Sequence, residues 1–361
     1  MSETDRFSEL MNPQNYPDLE LNDPSAKNLS ASNVTDKIVA SIQAAHDVSS
    51  KVQSVSGNTN LRDGFDYYLS SEGHEVITPV TRITSSVNVM ANDGQGESRS
   101  NSSFGERRFA KLPLEEESTN VAERAVLGLN PQDIEPGTYK VVLDHQAAGR
   151  QMFLLGIALS AKGVVDQRSF LKDKIGEKVF SDSMTFLNSP HNPELLSARA
   201  LDWEGVASKS YALIRNGILE NYAHDRLSAK QMGVKTNGCC LISEYGSFPF
   251  PFACALDAGQ KNRQRLIEEM DNGLLVTNLH YTNFIDPSRG TETGTTKDGL
   301  FIIKNGEIVG AARNLRFTDS MPEMLKTVEF SSEVSQIIGF FGFPISVPAM
   351  QLEAMKFSSQ A

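Results

Sequence analysis

The chain has 361 residues, 39% of them hydrophobic, which suffices for one large or two ordinary domains with a buried core and no covalent staples. Its formal net charge of −11 repels phosphate backbones and argues against direct nucleic-acid binding; the short basic runs, Arg107-Arg108 and Lys261 to Arg265, read as solvated faces. Three cysteines, Cys239, Cys240 and Cys254, are the usage of a reducing, cytoplasmic compartment, and no apolar run reaches the length of a membrane span.

Residues 1 to 30 are polar and proline-punctuated, which predicts an extended arm lying on a surface. In NVTDKIVASIQAAHDVSS, Thr35 is the expected helix cap, Ile38, Ile42 and Ala45 recur at helical spacing, and His46 falls on the solvated side. From Lys51 to about Glu106 the period changes to two, and SSEG and NDGQG separate the alternating runs into an antiparallel meander with one wet face. LPLEEESTNVAERAVLGLN, with acids in its opening turn and Val121, Ala125 and Leu129 along one stripe, predicts a helix.

GTYKVVLD reads as a short buried strand that runs into LDHQAAGR, and residues 146 to 160 form a helix apolar on nearly every side. RSFLKDKIGEKVF is a further expected helix. YALIRNGILENY and GLFIIKNGEIVGAA each read as a strand, an Asn-Gly turn and a returning strand, a hint of a repeated unit. GQKNRQRLIEEMDNG predicts a helix ended by Gly273, followed by the strand LLVTNLHYTNFID; Asp225 is the expected N-cap of DRLSAKQMG. SQIIGFFGFPISVPAMQLEAMKF is a broken apolar segment that becomes an alternating strand.

Some candidate chemistry fails on spacing alone. His74-Glu75 begins like a metalloprotease motif, but no second histidine follows at helical spacing; His191 reads as a loop residue, and His224 precedes the short helix DRLSAKQMG. Cys239 and Cys240 are adjacent and diverge in a strand, Cys254 sits in apolar FPFPFACAL, and core packing is the simpler reading of all three than metal binding or nucleophilic chemistry.

The run DNGLLVTNLHYTNFIDPSRGTETGTTKDGLFIIKNGEIVGAARNLRFTDS resembles the C-terminal signature of the TldD/PmbA family, metallopeptidase relatives historically labelled modulators of DNA gyrase. RSFLKDKIGEKVF, DWEGVASKSYALIRNGILENY and DRLSAKQMGVKTNG match in family order, and the likeness extends from about residue 12 onward. It implies an α+β fold with a large antiparallel, barrel-like sheet system and packed helices, divided into an arm (1–30), a helix and meander (31–135) and the family's C-terminal domain (136–361), without the N-terminal domain that members usually carry.

TldD-type members carry His-Glu-x-x-x-His on a helix and a cysteine near the C-terminus, which together bind zinc. By that resemblance His145 takes the first ligand position, Gln146 replaces the catalytic glutamate, Arg150 replaces the second histidine, and IIGFFGFPISVPAM holds no cysteine. Glutamine offers no titratable base near neutral pH, and a guanidinium offers no lone pair to a metal. Arg150 is expected instead to substitute for the metal's charge and hold a carboxylate. The same likeness places His280, Tyr281 and Asn283 beside a substrate channel, although a satisfied sheet histidine is the plainer role for His280.

The expected function is a catalytically degenerate TldE/PmbA-like subunit, with no metal or cofactor of its own. It would act on a peptide as a homodimer or with a TldD-like zinc peptidase. The alternatives are a stand-alone peptidase-like hydrolase with relocated groups and a regulatory protein that binds gyrase.

Overall fold

The computed structural model describes residues 11–243, 246–339 and 342–360. The first ten residues of the expected arm, and Phe340-Phe341 within IIGFFGFPISVPAM, therefore lie outside the described residues.

Helix α1 (Ala31–Asp47) packs beside three strands, β1 (Val52–Leu69), β2 (Glu75–Asn92) and β3 (Glu97–Glu106), in the expected meander. Its cap is Ser30, not Thr35: Ser30 and Asn33 exchange side-chain and backbone hydrogen bonds in a capping box, while the Thr35 hydroxyl donates back to the Ala31 carbonyl from inside the first turn. Ser30→Ala should therefore speed amide exchange in the first turn of α1 by about fivefold, roughly 1 kcal/mol, and Thr35→Ala should leave it nearly unchanged. Helix α2 (Leu114–Leu127) lays Val121, Ala122 and Ala125 on Val87, Val89 and Phe104 of the meander.

The arm is anchored at Leu21, which is buried and bridges to Val80 of β2. Arg107 corrects the expectation of a solvated face. Its side chain is 3% exposed, and it donates to the carbonyls of Leu21, Thr81, Pro193 and Leu195, while Arg108 stays exposed on Glu194. Burial pulls the guanidinium down to about 10. Four carbonyl acceptors satisfy a buried cation without a carboxylate.

The remainder continues with β4 (Thr138–Leu143), α3 (His145–Ala158), α4 (Ala161–Val165), β5 (Phe186–Asn188), β6 (Tyr211–Arg215), β7 (Ile218–Leu219) and α5 (Arg226–Met232). Then come β8 (Cys240–Ser243), β9 (Gly246–Pro249), β10 (Cys254–Leu256), α6 (Arg263–Glu268), β11 (Asn272–Val276), β12 (Leu279–Asp286) and β13 (Thr291–Thr296). Last are β14 (Leu300–Lys304), β15 (Glu307–Ala311), β16 (Leu315–Ser320), α7 (Met321–Met324), β17 (Val328–Ile338) and β18 (Pro344–Gln360).

Among the described residues, sixteen strands join one large sheet, so the α+β expectation holds. The sheet is not closed: its main path runs from β1 to β7, and β4 and β16 branch from β18. Nearly all pairs are antiparallel, but β4 runs parallel to β11 and β10 parallel to β18. The long β18 is the hub, pairing with β17, β10, β4 and β16. Both Asn-Gly hairpins form, with positive φ at Asn216, Gly217, Asn305 and Gly306. Asp225 caps α5 as expected, accepting from the Ser228 amide.

Three local expectations change. RSFLKDKIGEKVF is a chain of turns rather than a helix, with positive φ at Asp173 and Gly176 and with Phe170, Leu171 and Phe180 buried. Gly273 does not end α6 but lies inside β11, where a Cβ would come within 2.6 Å of the Lys140 carbonyl on β4. The expected strand LLVTNLHYTNFID divides into β11 and β12 at Thr277-Asn278, where the chain leaves its ladder with β14 and takes β13 as its partner.

Candidate functional site

Strand β4 sits between β11 and β18 and delivers its last residue, Leu143, directly to the N-terminus of α3. Asp144 caps that helix with Oδ1 accepting from the His145 amide at 2.9 Å. Its other oxygen accepts from Arg263 at 2.7 Å and Arg124 at 3.4 Å. Burial alone would raise the Asp144 carboxyl; Arg263, His145 and Arg124 outweigh it and hold the group well below the usual carboxylate range. Arg263 comes from α6, so the run Lys261 to Arg265 is not wholly a solvated face: Lys261 and Arg265 pair with surface acids, while Arg263 reaches the buried carboxylate.

His145 is held at both ring nitrogens. Nδ1 lies 3.0 Å from the Asp144 carboxylate and Nε2 lies 3.2 Å from the Glu333 carbonyl. Both neighbours only accept, which favours a proton on each nitrogen and so the imidazolium form. Burial pulls the His145 value down, but the Asp144 hydrogen bond and charge override it and the net shift is upward. An imidazolium has no lone pair for a metal.

Gln146 points away from this network, donating to the Ser103 carbonyl at 2.8 Å and the Ser102 hydroxyl at 3.3 Å on β3. Arg150 is half-buried one turn further along α3, where burial lowers its guanidinium. The structure brings His280 within electrostatic reach of it: burial, then Lys297 and Arg150, lower the imidazole, the opposite direction to His145. Tyr281 is 77% exposed at positive φ, its ring 4.1 Å from that of His280. Asn283 lies apart, on an apolar cavity of about 340 Å³ shared with Ile157, Phe248 and Phe250.

Whether zinc would fit can be judged from the donors. Among the described residues no three His, Cys, Asp or Glu side chains gather around a point that could hold a metal ion. At α3 the donor set is an engaged imidazolium, an amide turned to β3 and a guanidinium, and this set does not fit zinc. The cysteines offer no replacement. All three are free and buried; burial pushes the Cys239 thiol up to about 12 and Cys240 and Cys254 up as well, with Cys239 2.9 Å from the Tyr211 hydroxyl. His74 is buried between the Tyr16 hydroxyl and the Met11 carbonyl, and His191 bonds Ser208.

The sequence reading missed Asp144, Arg124, Arg263 and Glu333. Asp144 alone carried a local signal, an aspartate between a buried strand and a helix.

Comparison with known proteins bears on this geometry. The family described as the PmbA/TldA metallopeptidase C-terminal domain matches residues 136–359. A metalloprotease of Methanothermobacter thermautotrophicus is 27% identical over 293 residues, covering 76% of this chain and 62% of that protein. The metalloprotease TldD homolog of Buchnera aphidicola subsp. Acyrthosiphon pisum is 24% identical over 322 residues, covering 82% of this chain and 66% of that protein. The chain thus spans just under two thirds of these relatives' lengths. The crystal structure of TldE from Thermococcus kodakarensis shares the fold, with a TM-score of 0.85 at 21% identity over 98% of this chain and 80% of that one. Since the family match runs through more than half of the chain, the protein belongs to the TldD/PmbA family.

Proposed function

We propose that this chain is a TldE/PmbA-like subunit of a peptide-processing assembly, one that binds peptide and leaves hydrolysis to a TldD-type zinc metallopeptidase partner. The observation that carries the reading is His145: at the position where the family's first zinc ligand is expected, both ring nitrogens are spent on Asp144 and Glu333. Gln146 and Arg150 support it, since neither provides a base or a metal donor. In this reading Arg150 supplies the positive charge of the site and orients a peptide carboxylate or carbonyl, with His280 and Tyr281 along the peptide's path. The division of the chain into an arm, a helix-and-meander region and a C-terminal domain belongs to the same proposal. So do a cytoplasmic location, for which three free thiols speak, and assembly as a homodimer or heterodimer.

The test is metal content together with activity. The purified chain should carry far less than stoichiometric zinc by elemental analysis and cleave no peptide, with or without chelator; peptide cleavage should appear when a TldD-type subunit is added. Stoichiometric zinc abolished by His145→Ala would overturn the reading. Arg150→Met should weaken peptide binding about tenfold, the worth of one charge-assisted contact. Unchanged affinity would remove Arg150 from the proposal.

A further inference from the structure

A second recess lies on the far side of Arg124. It is an open cleft of about 940 Å³ between β3 with α2 on one side and the β14–β15 hairpin on the other, a volume in the range of sites that take small organic ligands. Arg99 and Arg124 stand on the first wall, and Asp298 and Arg313 flank the hairpin opposite.

Two guanidinium groups there have donors to spare. Arg124 gives Nη1 to Asp144 at 3.4 Å and Nε to the Ser100 hydroxyl at 3.3 Å, but its Nη2 is buried and meets no acceptor among the described residues. A buried guanidinium N–H without an acceptor is costly and points to a missing anionic or carbonyl oxygen. Arg99 is exposed and closes no ion pair with another described residue, although it lies near enough to Asp298 to favour that carboxylate. Arg313 is already engaged, 3.0 Å from Asp133.

The charge balance selects the ligand. Three guanidinium groups, Arg99, Arg124 and Arg313, share the cleft with three carboxyl groups, Glu97, Asp133 and Asp298. A phosphate dianion would meet all three acids; a ligand with a carboxylate at one end and amide or ammonium donors beyond it meets complementary groups on both sides. We infer that this cleft binds a short peptide by its free C-terminal carboxylate, held between Arg99 and Arg124, whose buried, unsatisfied Nη2 turns outward to meet it. That the ligand is a peptide rests on the peptide-processing reading; the capture of its terminus rests on the arginines. Through Arg124 the bound carboxylate would compete with Asp144, so occupancy is communicated to the cap of α3.

The experiment uses the full chain and a randomised tetrapeptide pool, synthesised once with free carboxylates and once as C-terminal amides, with retention after ultrafiltration read by mass spectrometry. The free acids should be retained about tenfold over the amides, as one strong charge-assisted contact requires. Arg99→Gln, an exposed change whose folding is checked by its melting curve, should bring the ratio close to one. Equal retention of acids and amides by the unmodified chain overturns the cleft proposal while leaving the peptide reading in place. A preference for acids that survives Arg99→Gln also overturns it, because the carboxylate is then held elsewhere. Displacement of the acids by equimolar inorganic phosphate overturns it in favour of a simple anion site, and retention of neither pool removes both this proposal and the peptide reading.

Discussion

Asp144→Asn is expected to lower the unfolding free energy by about 3–5 kcal/mol at neutral pH, the cost of leaving buried charges without their counterion. The change keeps the volume of the side chain and an oxygen for the His145 amide. It removes the negative charge that Arg263, Arg124 and the His145 imidazolium share. The loss should be largest where the wild-type carboxylate contributes most. The folded value of Asp144 is depressed, so its contribution is present above the ordinary carboxylate range and fades only as pH falls through its low folded value. His145 has the opposite sign: its folded value is raised, so its contribution is complete below its unfolded value and is lost as pH rises through the folded one. Urea unfolding at pH 5, 7 and 9 should therefore show a shallower decline toward alkaline pH in Asp144→Asn than in the wild type, because the His145 share of that decline is lost while the share of buried acids such as Glu292 remains. A variant within 1 kcal/mol of wild type at every pH would refute the ion cluster as an organising feature of the site.

Where a signal was local, it could be read. The period-two meander, the all-apolar α3 and the Asn-Gly hairpins depend on side chains a few positions apart, and the structure has all of them. RSFLKDKIGEKVF misleads because its apolar residues also fit a helical spacing, yet burying Phe170, Leu171 and Phe180 in one core needs the turns at Asp173 and Gly176. Tertiary burial there overrides propensity. The candidate site divides in the same way. His145, Gln146 and Arg150 lie on one helix and were legible as a unit. The groups that make His145 a cation were not, since Arg124 is 20 residues from Asp144, Arg263 is 119, and the Glu333 carbonyl is 188 from the ring it accepts. Arg107 was misread for a related reason: its partners are backbone carbonyls, which every residue has, so no pattern of side chains announces them.

Glu292→Gln should act in the other direction and stabilise the protein at alkaline pH. Glu292 lies in β13 opposite Asp319 of β16, with no exposed surface. Burial, reinforced by the Asp319 charge, lifts its carboxyl to about 8, so it is largely neutral at pH 7. Gln151 of α3 lies beside it and favours the ionised form slightly, but the two close no hydrogen bond of normal geometry: the Gln151 amide nitrogen and both Glu292 oxygens lack partners among the described residues. Because the folded value is raised, the native state holds this proton more tightly than the unfolded chain. Its contribution is complete below the unfolded value of 4.5, diminishes as pH rises toward 8, and is gone above it. At 1.36 kcal/mol per pH unit the shift corresponds to on the order of 5 kcal/mol, an upper figure because the surroundings relax around a buried charge. Glutamine keeps the shape and cannot ionise. Thermal unfolding should therefore find the variant close to wild type at pH 5 and clearly more stable at pH 9. Parallel stability curves for the two proteins across that range would mean that Glu292 is solvated or paired in the native state, and with it would fall the view that a neutral acid lines the contact between β13 and α3.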